Sequence, residues 1–467
     1  MKNTRKETDS LGERDVPADV LFGINTLRGV ENFEVSPLKI GDEPALIRAL
    51  AAIKRAAAKA NTALGVLDAA KGAAIVEACD EILAGKHTCH FVVDLLEGSG
   101  GTSINMNANE VIANRALQLL GHEPGRYDRL HPNDHVNMGQ STNDVVPSAV
   151  KLAVHEKSTD LTAALKRLGD AFQIKSQEFS KVLKIGRTCM QAAQPMTLGQ
   201  EFGGYAAAIH RIGDKTGKAV EELLVLPLGG TAIGTGLGSA PGFRELVYSH
   251  LSAGLNKPVR PAADMFDGMQ NADSFARISS ELRIAAEVMG KICLDLIIMS
   301  SGTKSGIGEI RLPAVQPGSS IMPGKVNPVL PMMMQQIAFA VVGNDAAVSL
   351  ASLGGQLEIN HFEPVIASRL FDTMDLLTRG SRIFADRCVS GIKANEEQAL
   401  ENLLASSALA TVFVPKLGYS DVSRIVKDAE AEGKLFVDVI VDMGLLTRDQ
   451  VINVLYDATR YREKPAA

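Results

Sequence analysis

Residues 275–299 read FARISSELRIAAEVMGKICLDLIIM. Within them Phe275, Ile278, Leu282, Ala285, Met289, Ile292, Leu296 and Met299 step by three and four in alternation. That spacing lays an unbroken apolar seam along one side of an α-helix. At 1.5 Å per residue such a helix runs roughly 37 Å, more than a small domain needs. Part of the seam is therefore expected to pack against other helices of a bundle, from this chain or from other subunits. Working outward, residues 44–63, 67–85, 144–181, 197–225, 332–352 and 366–388 also carry helical patterns, several of them Ala-rich. Alternating strand patterns are rare. The expected fold class is all-α, or mainly α.

A chain of 467 residues, 46 % hydrophobic, is too long for one compact core. Composition shifts near residues 140 and 392 suggest three domains. These are a mixed, helical part at 1–140, a long-helix centre at 141–392 and a small helical part at 393–467. The net charge is −6 and no basic tract occurs, so neither nucleic acid nor an anionic membrane is an expected partner. Aromatic residues are 4 % with no Trp, which also speaks against a base-stacking surface. The five cysteines, Cys79, Cys89, Cys189, Cys293 and Cys388, are scattered without CxxC spacing. They read as reduced thiols of a cytoplasmic protein, not as a disulfide frame or a zinc site. The opening MKNTRKETDSLGERD lacks the apolar core of a signal peptide, and no uninterrupted apolar run reaches bilayer length.

Several stretches interrupt the helices. One is EGSGGTSINMN (97–107), running on to HPNDHVNMGQSTND (131–144); another is GRTCMQAAQP (186–195). Like the opening stretch, these are rich in hydroxyls, Asn and Gly. A further one is GSSIMPGKVNP (318–328), a mixture neither helix nor strand tolerates well. Helix N-termini present free N–H groups that suit anions. Ser141, Thr142 and Asn143 precede a helical run from about Asp144, and Ser103 opens another. Plain N-capping accounts for any one of them; several such loops together with Lys325, held in a Gly/Pro frame, point instead to a carboxylate ligand. No Ser-His-Asp order and no HExxH occurs, and His131 and His135 in HPND fit a simple turn. Ser319, beside Gly318, could approach clustered backbone N–H groups. GTGLG (234–238) follows no strand and reads as a turn between helices, not as a dinucleotide loop.

These segments together resemble the aspartase/fumarase superfamily. GSSIMPGKVNP is similar to its signature loop. LGERDVPADVLFGINTLRGVENF (11–33), GTSINMNANEVIANRALQLLG (101–121), HPNDHVNMGQSTND, GRTCMQAAQPMTLGQEF (186–202), GGTAIGTGL (229–237) and GNDAAVSLASLGGQLEINHFEPVI (343–366) follow in the family's order. The resemblance implies three mainly α domains and a homotetramer whose long helices form a twenty-helix core, with each active site built from three subunits. It implies an anti elimination across the Cα–Cβ bond of a succinate-like substrate. Loss of the weakly acidic Cβ proton then leaves a dianionic enediolate to be stabilised. By position, Ser319 would be the base. Lys325 and Asn327 would grip carboxylates. Thr102, Ser141, Thr142 and Thr188 would donate hydroxyls, and Asn143 would lie near the leaving group. No metal or organic cofactor is implied. INTLRGVENF and STND resemble the aspartase branch, which releases ammonia from L-aspartate, more than the fumarase branch.

Two positions depart from the family pattern. Cys189 stands where many members have His, and Met332 where many have Glu. Joint loss of a charged pair is self-consistent, since one buried partner left alone would be costly. It reads either as neutral repacking or as a pocket altered around the substrate position of Cys189. The alternatives kept open are a lyase for N-substituted or modified aspartate, a fumarate hydratase, and a binding protein with a decayed site.

Overall fold

A computed structural model describes residues 4–302 and 305–460. The N-terminal residues 1–3, and residues 461–467 of the expected C-terminal part, lie outside them. Five long helices dominate: Thr142–Glu178, Leu198–Val220, Asp273–Met299, Val329–Leu353 and Glu363–Arg387. All eight seam residues of 275–299 are buried, none more than 4 % exposed. The chain is mainly α, and the described strands pair only as two-stranded sheets.

The chain divides into two compact units, and the division falls inside each of the five long helices. The first unit runs through Thr162 and adds Asp214–Arg283 and Ala340–Leu376. It holds an antiparallel hairpin, Thr4–Asp9 with Gly12–Pro17, in register from Thr4 opposite Pro17 to Asp9 opposite Gly12. Helix Pro44–Ala63 starts on a proline, whose missing N–H is no loss in a first turn. It packs against Ala69–Leu83, which Asp68 caps by accepting from Ala70 N and Lys71 N, and against Phe243–Leu255.

The second unit comprises Ala163–Gly213, Ile284–Phe339 and the chain from Leu377 on. Here the structure adds strands the sequence reading lacked. Leu183–Thr188 and Gln191–Thr197 form an antiparallel hairpin with a register irregularity between Ile185 and Arg187. Leu183 and Ile185 bury one face of it among Leu403, Phe413, Ile425, Phe436, Val451 and Leu455 of the C-terminal helices. Each such fully buried side chain contributes about 1.5–3 kcal/mol, so the hairpin is anchored from one side and its tip is left exposed.

The helix Val329–Leu353 differs from expectation in another way. No uninterrupted apolar run in it reaches bilayer length, yet by overall length and composition it is long and apolar enough to cross a membrane. Two of its polar residues are tied to the protein: Asn344 Nδ2 donates to Asp372 Oδ2 at 2.9 Å and Thr373 Oγ1 at 3.1 Å, and Asp345 pairs with Arg283.

Candidate active site

In the first unit the site is built on two helix N-termini. Ahead of helix Thr102–Leu119, Ser99 Oγ accepts from Ser103 N at 3.0 Å, and Glu97 accepts from Ser99. Gly101 turns the chain at φ 91°, and a Cβ there would meet Val146 Cγ1 at 2.8 Å. Only glycine lets this helix start against the first turns of Thr142–Glu178. Thr102 is thereby placed, exposed, at one helix start.

At the other start, Thr142 is itself the first helical residue, two positions earlier than the sequence suggested. Thr142 Oγ1 accepts from Asn105 Nδ2 at 3.2 Å, so Asn105, one turn past Thr102, ties the two helix starts together. Ser141 Oγ accepts from Asn143 N at 3.2 Å. Both hydroxyls are thus held through their oxygens, and each keeps its own proton to donate to an anion. The helix N-terminus adds partial positive charge. Asn143 is directed differently: its Nδ2 donates to Ala232 O at 2.8 Å.

The histidines of HPND serve the loop. His131 Nδ1 accepts from Asn133 N at 3.1 Å and Asp134 N at 3.3 Å, while His135 Nδ1 accepts from His131 N at 2.8 Å. Burial, and then nearby Lys71, lower the His135 pKa.

Beneath this wall lie two buried charges that sequence reasoning missed. Lys54 and Asp144 are both 0 % exposed. Lys54 Nζ donates to Asn137 Oδ1 at 2.7 Å, and Asn137 Oδ1 also accepts from Asn105 Nδ2 at 3.2 Å. Burial lowers the lysine to about 7 against the pull of Asp144, and raises Asp144 to about 6 against its three N–H donors and Lys54. A signal existed: Lys54 and Asn61 fall on the same apolar stripe as Ile47 and Leu50, where a solvated lysine has no place.

The second unit carries the remaining candidates. Cys189 and Met190 form the hairpin tip at φ 51° and φ 64°. Two left-handed residues are what a two-residue hairpin turn requires, ordinarily met by Asn-Gly. Thr188, Cys189 and Met190 are all exposed. The strand beneath is clamped by fully buried Glu309, whose oxygens lie 3.2 Å from Lys184 Nζ and 2.8 Å from Arg187 Nη2.

In the Gly318–Pro328 loop, Ser319 Oγ accepts from Ile321 N at 3.2 Å and Met322 N at 3.1 Å. Two backbone donors on one hydroxyl oxygen favour its ionised form. The loop closes on itself, with Gly318 N donating to Lys325 O at 2.8 Å. Lys325 is exposed. Asn327 Nδ2 donates to Gly318 O, which leaves its Oδ1 and second N–H for other partners. Met332, on the following helix, is exposed. Among the described residues no group of three or more His, Cys, Asp or Glu could hold a metal ion.

Comparison with known proteins sets this geometry in context. The family model described as Lyase matches residues 12–343. The chain is 45 % identical over 454 residues to an aspartate ammonia-lyase of Pseudomonas aeruginosa, covering 97 % of this chain and 96 % of that one. With an aspartate ammonia-lyase of Escherichia coli strain K12 it shares 39 % identity over 472 residues, 99 % of each chain. Among solved structures, a fumarate lyase:delta crystallin from Brucella melitensis bound to cobalt superposes with a TM-score of 0.95 at 46 % identity, covering 98 % of this chain and 100 % of that one. A class II fumarase from Schistosoma mansoni gives a TM-score of 0.90 at 34 % identity, over 98 % and 99 % of the two chains.

Proposed function

The chain belongs to the aspartase/fumarase superfamily of lyases, and from that premise we propose how its residues carry the reaction. The enzyme is a carbon–nitrogen lyase, an aspartate ammonia-lyase that converts L-aspartate reversibly to fumarate and ammonia. Ser319, as the alkoxide, takes the proton from Cβ. The C–H electron pair moves into the adjoining carboxylate, which becomes an enediolate carrying two negative charges. Lys325 and the hydroxyls of Thr102, Ser141, Thr142 and Thr188 stabilise that charge, with Asn327 on a carboxylate and Cys189 beside the substrate. As the enediolate collapses, the Cα–N bond breaks and ammonia departs near Asn143.

The observation that carries this reading is Ser319 Oγ held by two backbone N–H groups inside a loop closed by Asn327. The test is fumarate release from L-aspartate, followed at 240 nm, with ammonia in equal amount. Ser319→Ala is expected to lower kcat by about 10²–10⁴-fold, the span of general-base contributions; a fully active variant would remove Ser319 from the role. A second reading, an N-substituted aspartate as substrate, is favoured by the exposed Cys189 and Met332 in place of the family's usual His and Glu. Addition to fumarate of a larger amine but not of ammonia would select it.

We also read the working enzyme as a homotetramer in the cytoplasm, its sites shared between subunits. Met332, Gln336, Phe339, Gly343, Ala346, Leu350 and Leu353 form an exposed seam stepping by four and three along Val329–Leu353. A helix with a second seam of this kind suits burial against helices of other subunits. Five unpaired cysteines suit a reducing compartment.

A further inference from the structure

We propose that Asp144 is a positioning residue for the elimination: its buried carboxylate bolts the Gly229–Gly238 loop to the tip bearing Ser141, Thr142 and Asn143, with Lys54 bracing the same tip through Asn137. The inference rests on the lyase reading above and assigns to the Gly-rich loop a place in the site.

The bolt joins segments far apart in sequence. Asp144 Oδ1 accepts from Ser141 N at 2.9 Å. Its Oδ2 accepts from Gly229 N at 2.8 Å and Thr231 N at 3.1 Å, across 85 and 87 residues. Thr231 sits at φ 56°, a region that disfavours a β-branched residue strongly. Such a conformation persists only where its surroundings over-determine it. Here the N–H on Asp144 is one such hold. The next residue supplies the functional link, because Ala232 O is the acceptor of Asn143 Nδ2. Release of Thr231 to negative φ would swing that carbonyl and free the Asn143 side chain.

Lys54 works on the other half of the tip. Its Nζ donates to Asn137, which accepts in turn from Asn105, and Asn105 holds Thr142 Oγ1. The titratable and charged groups facing Asp144 are Lys54 from Pro44–Ala63 and Tyr248 from Phe243–Leu255. Arg244 of that second helix reaches Gly229 O at 3.3 Å. The arrangement stands on geometry, and the raised Asp144 pKa gives it a readout: protonation near pH 6 cancels the charge that three N–H groups and Lys54 address.

The experiment measures kcat and KM for L-aspartate from pH 5 to 9 on the full-length enzyme and three variants, with circular dichroism and Tm as controls for folding. Asp144→Asn keeps the shape and is expected to lose at least tenfold in kcat/KM at pH 8. It is also expected to lose the acidic limb near pH 6. Asp144→Asn/Thr231→Gly is expected to recover at least threefold of that loss, since glycine takes this φ unaided. Lys54→Met is expected to move the acidic limb upward by a pH unit or more, and it keeps the idea falsifiable if Asp144→Asn fails to fold. An active parent whose Asp144→Asn variant keeps both kcat/KM and the limb overturns the proposal alone, as does an unmoved limb in Lys54→Met. A parent that releases no fumarate overturns the lyase reading, and the proposal with it.

Discussion

Asn327 closes the signature loop on Gly318, its Nδ2 donating to the Gly318 carbonyl at 2.6 Å. The same glycine donates its N–H to Lys325 O, so the loop's two ends are joined twice over nine residues. There is no room for a side chain at the neck: a Cβ on Gly318 would lie 2.5 Å from Lys325 O and 2.8 Å from Asn327 N. Gly318→Ala is therefore expected to displace Ser319 and cut kcat/KM by more than tenfold. Because the loop is largely exposed, Tm should move little. Steady-state kinetics beside a melting curve checks both halves; a large fall in Tm with kcat/KM preserved would contradict the loop's assigned part.

Glu309 links a different pair of cations. It is fully buried, contacts Lys184 and Arg187 of the hairpin, and accepts from Asn402 Nδ2 at 3.1 Å. Glu309→Ala would leave Arg187 without its carboxylate partner; Lys184 keeps Glu201. Removing one partner of a buried pair costs about 3–5 kcal/mol. Urea unfolding should show a lower midpoint at similar slope. Since Thr188 follows Arg187 directly, kcat/KM should fall as well. Unfolding within about 0.5 kcal/mol of the parent would show that the clamp contributes little.

How much of this was legible in the sequence depends on the range of the interactions involved. The seam of 275–299 and the long helices are set by local periodicity, and the eight seam residues are all buried. The Leu183–Thr197 hairpin was not legible, because its strands are broken at Gly186 and its turn is Cys189-Met190 in place of the glycine-bearing pair that marks such turns. In the candidate site, hydroxyl-rich loops at helix starts pointed to an anion as the expected ligand, but residue type alone could not separate donors from caps. Ser141 turns out to hold Asn143 N as a cap does and still keeps its proton. Lys54 and Asp144 stayed hidden because their partners Asn137 and Gly229 lie 83 and 85 residues away. Only the folded chain brings such groups together.

Lys54 makes a test of pH and stability. Its folded pKa is depressed to about 7 from an ordinary 10.5. Between those values the unfolded chain binds more protons than the folded one. Stability contributed by this group therefore rises with pH through that window, with a slope of at most about 1.4 kcal/mol per unit. Lys54→Met removes the slope. The difference in unfolding free energy, variant minus parent, should accordingly be larger at pH 7 than at pH 9.5, measured by denaturant titration at each pH. A difference independent of pH would show that Lys54 stays charged in the fold.

Phe339 tests the assembly. It is 71 % exposed, in the middle of the seam from Met332 to Leu353, where Leu350 and Leu353 are 69 % and 82 % exposed. Asp345 is the sole charged residue of this helix, and it is turned toward Arg283 and Ser279, away from the seam. Burying Phe339 between subunits removes a large apolar surface from water, and a charge there would have to be desolvated without a partner. If the enzyme is the proposed tetramer, Phe339→Lys is expected to shift it to smaller species by light scattering at micromolar concentration. Helical content should be retained, because the opposite face, with Met334, Ala338, Val341 and Val348, is buried within the chain itself. Activity should fall with the tetramer, since the candidate residues are divided among subunits in the proposed site. A monomeric variant with full activity would place the complete site in one chain; an intact tetramer would place this seam outside the interface.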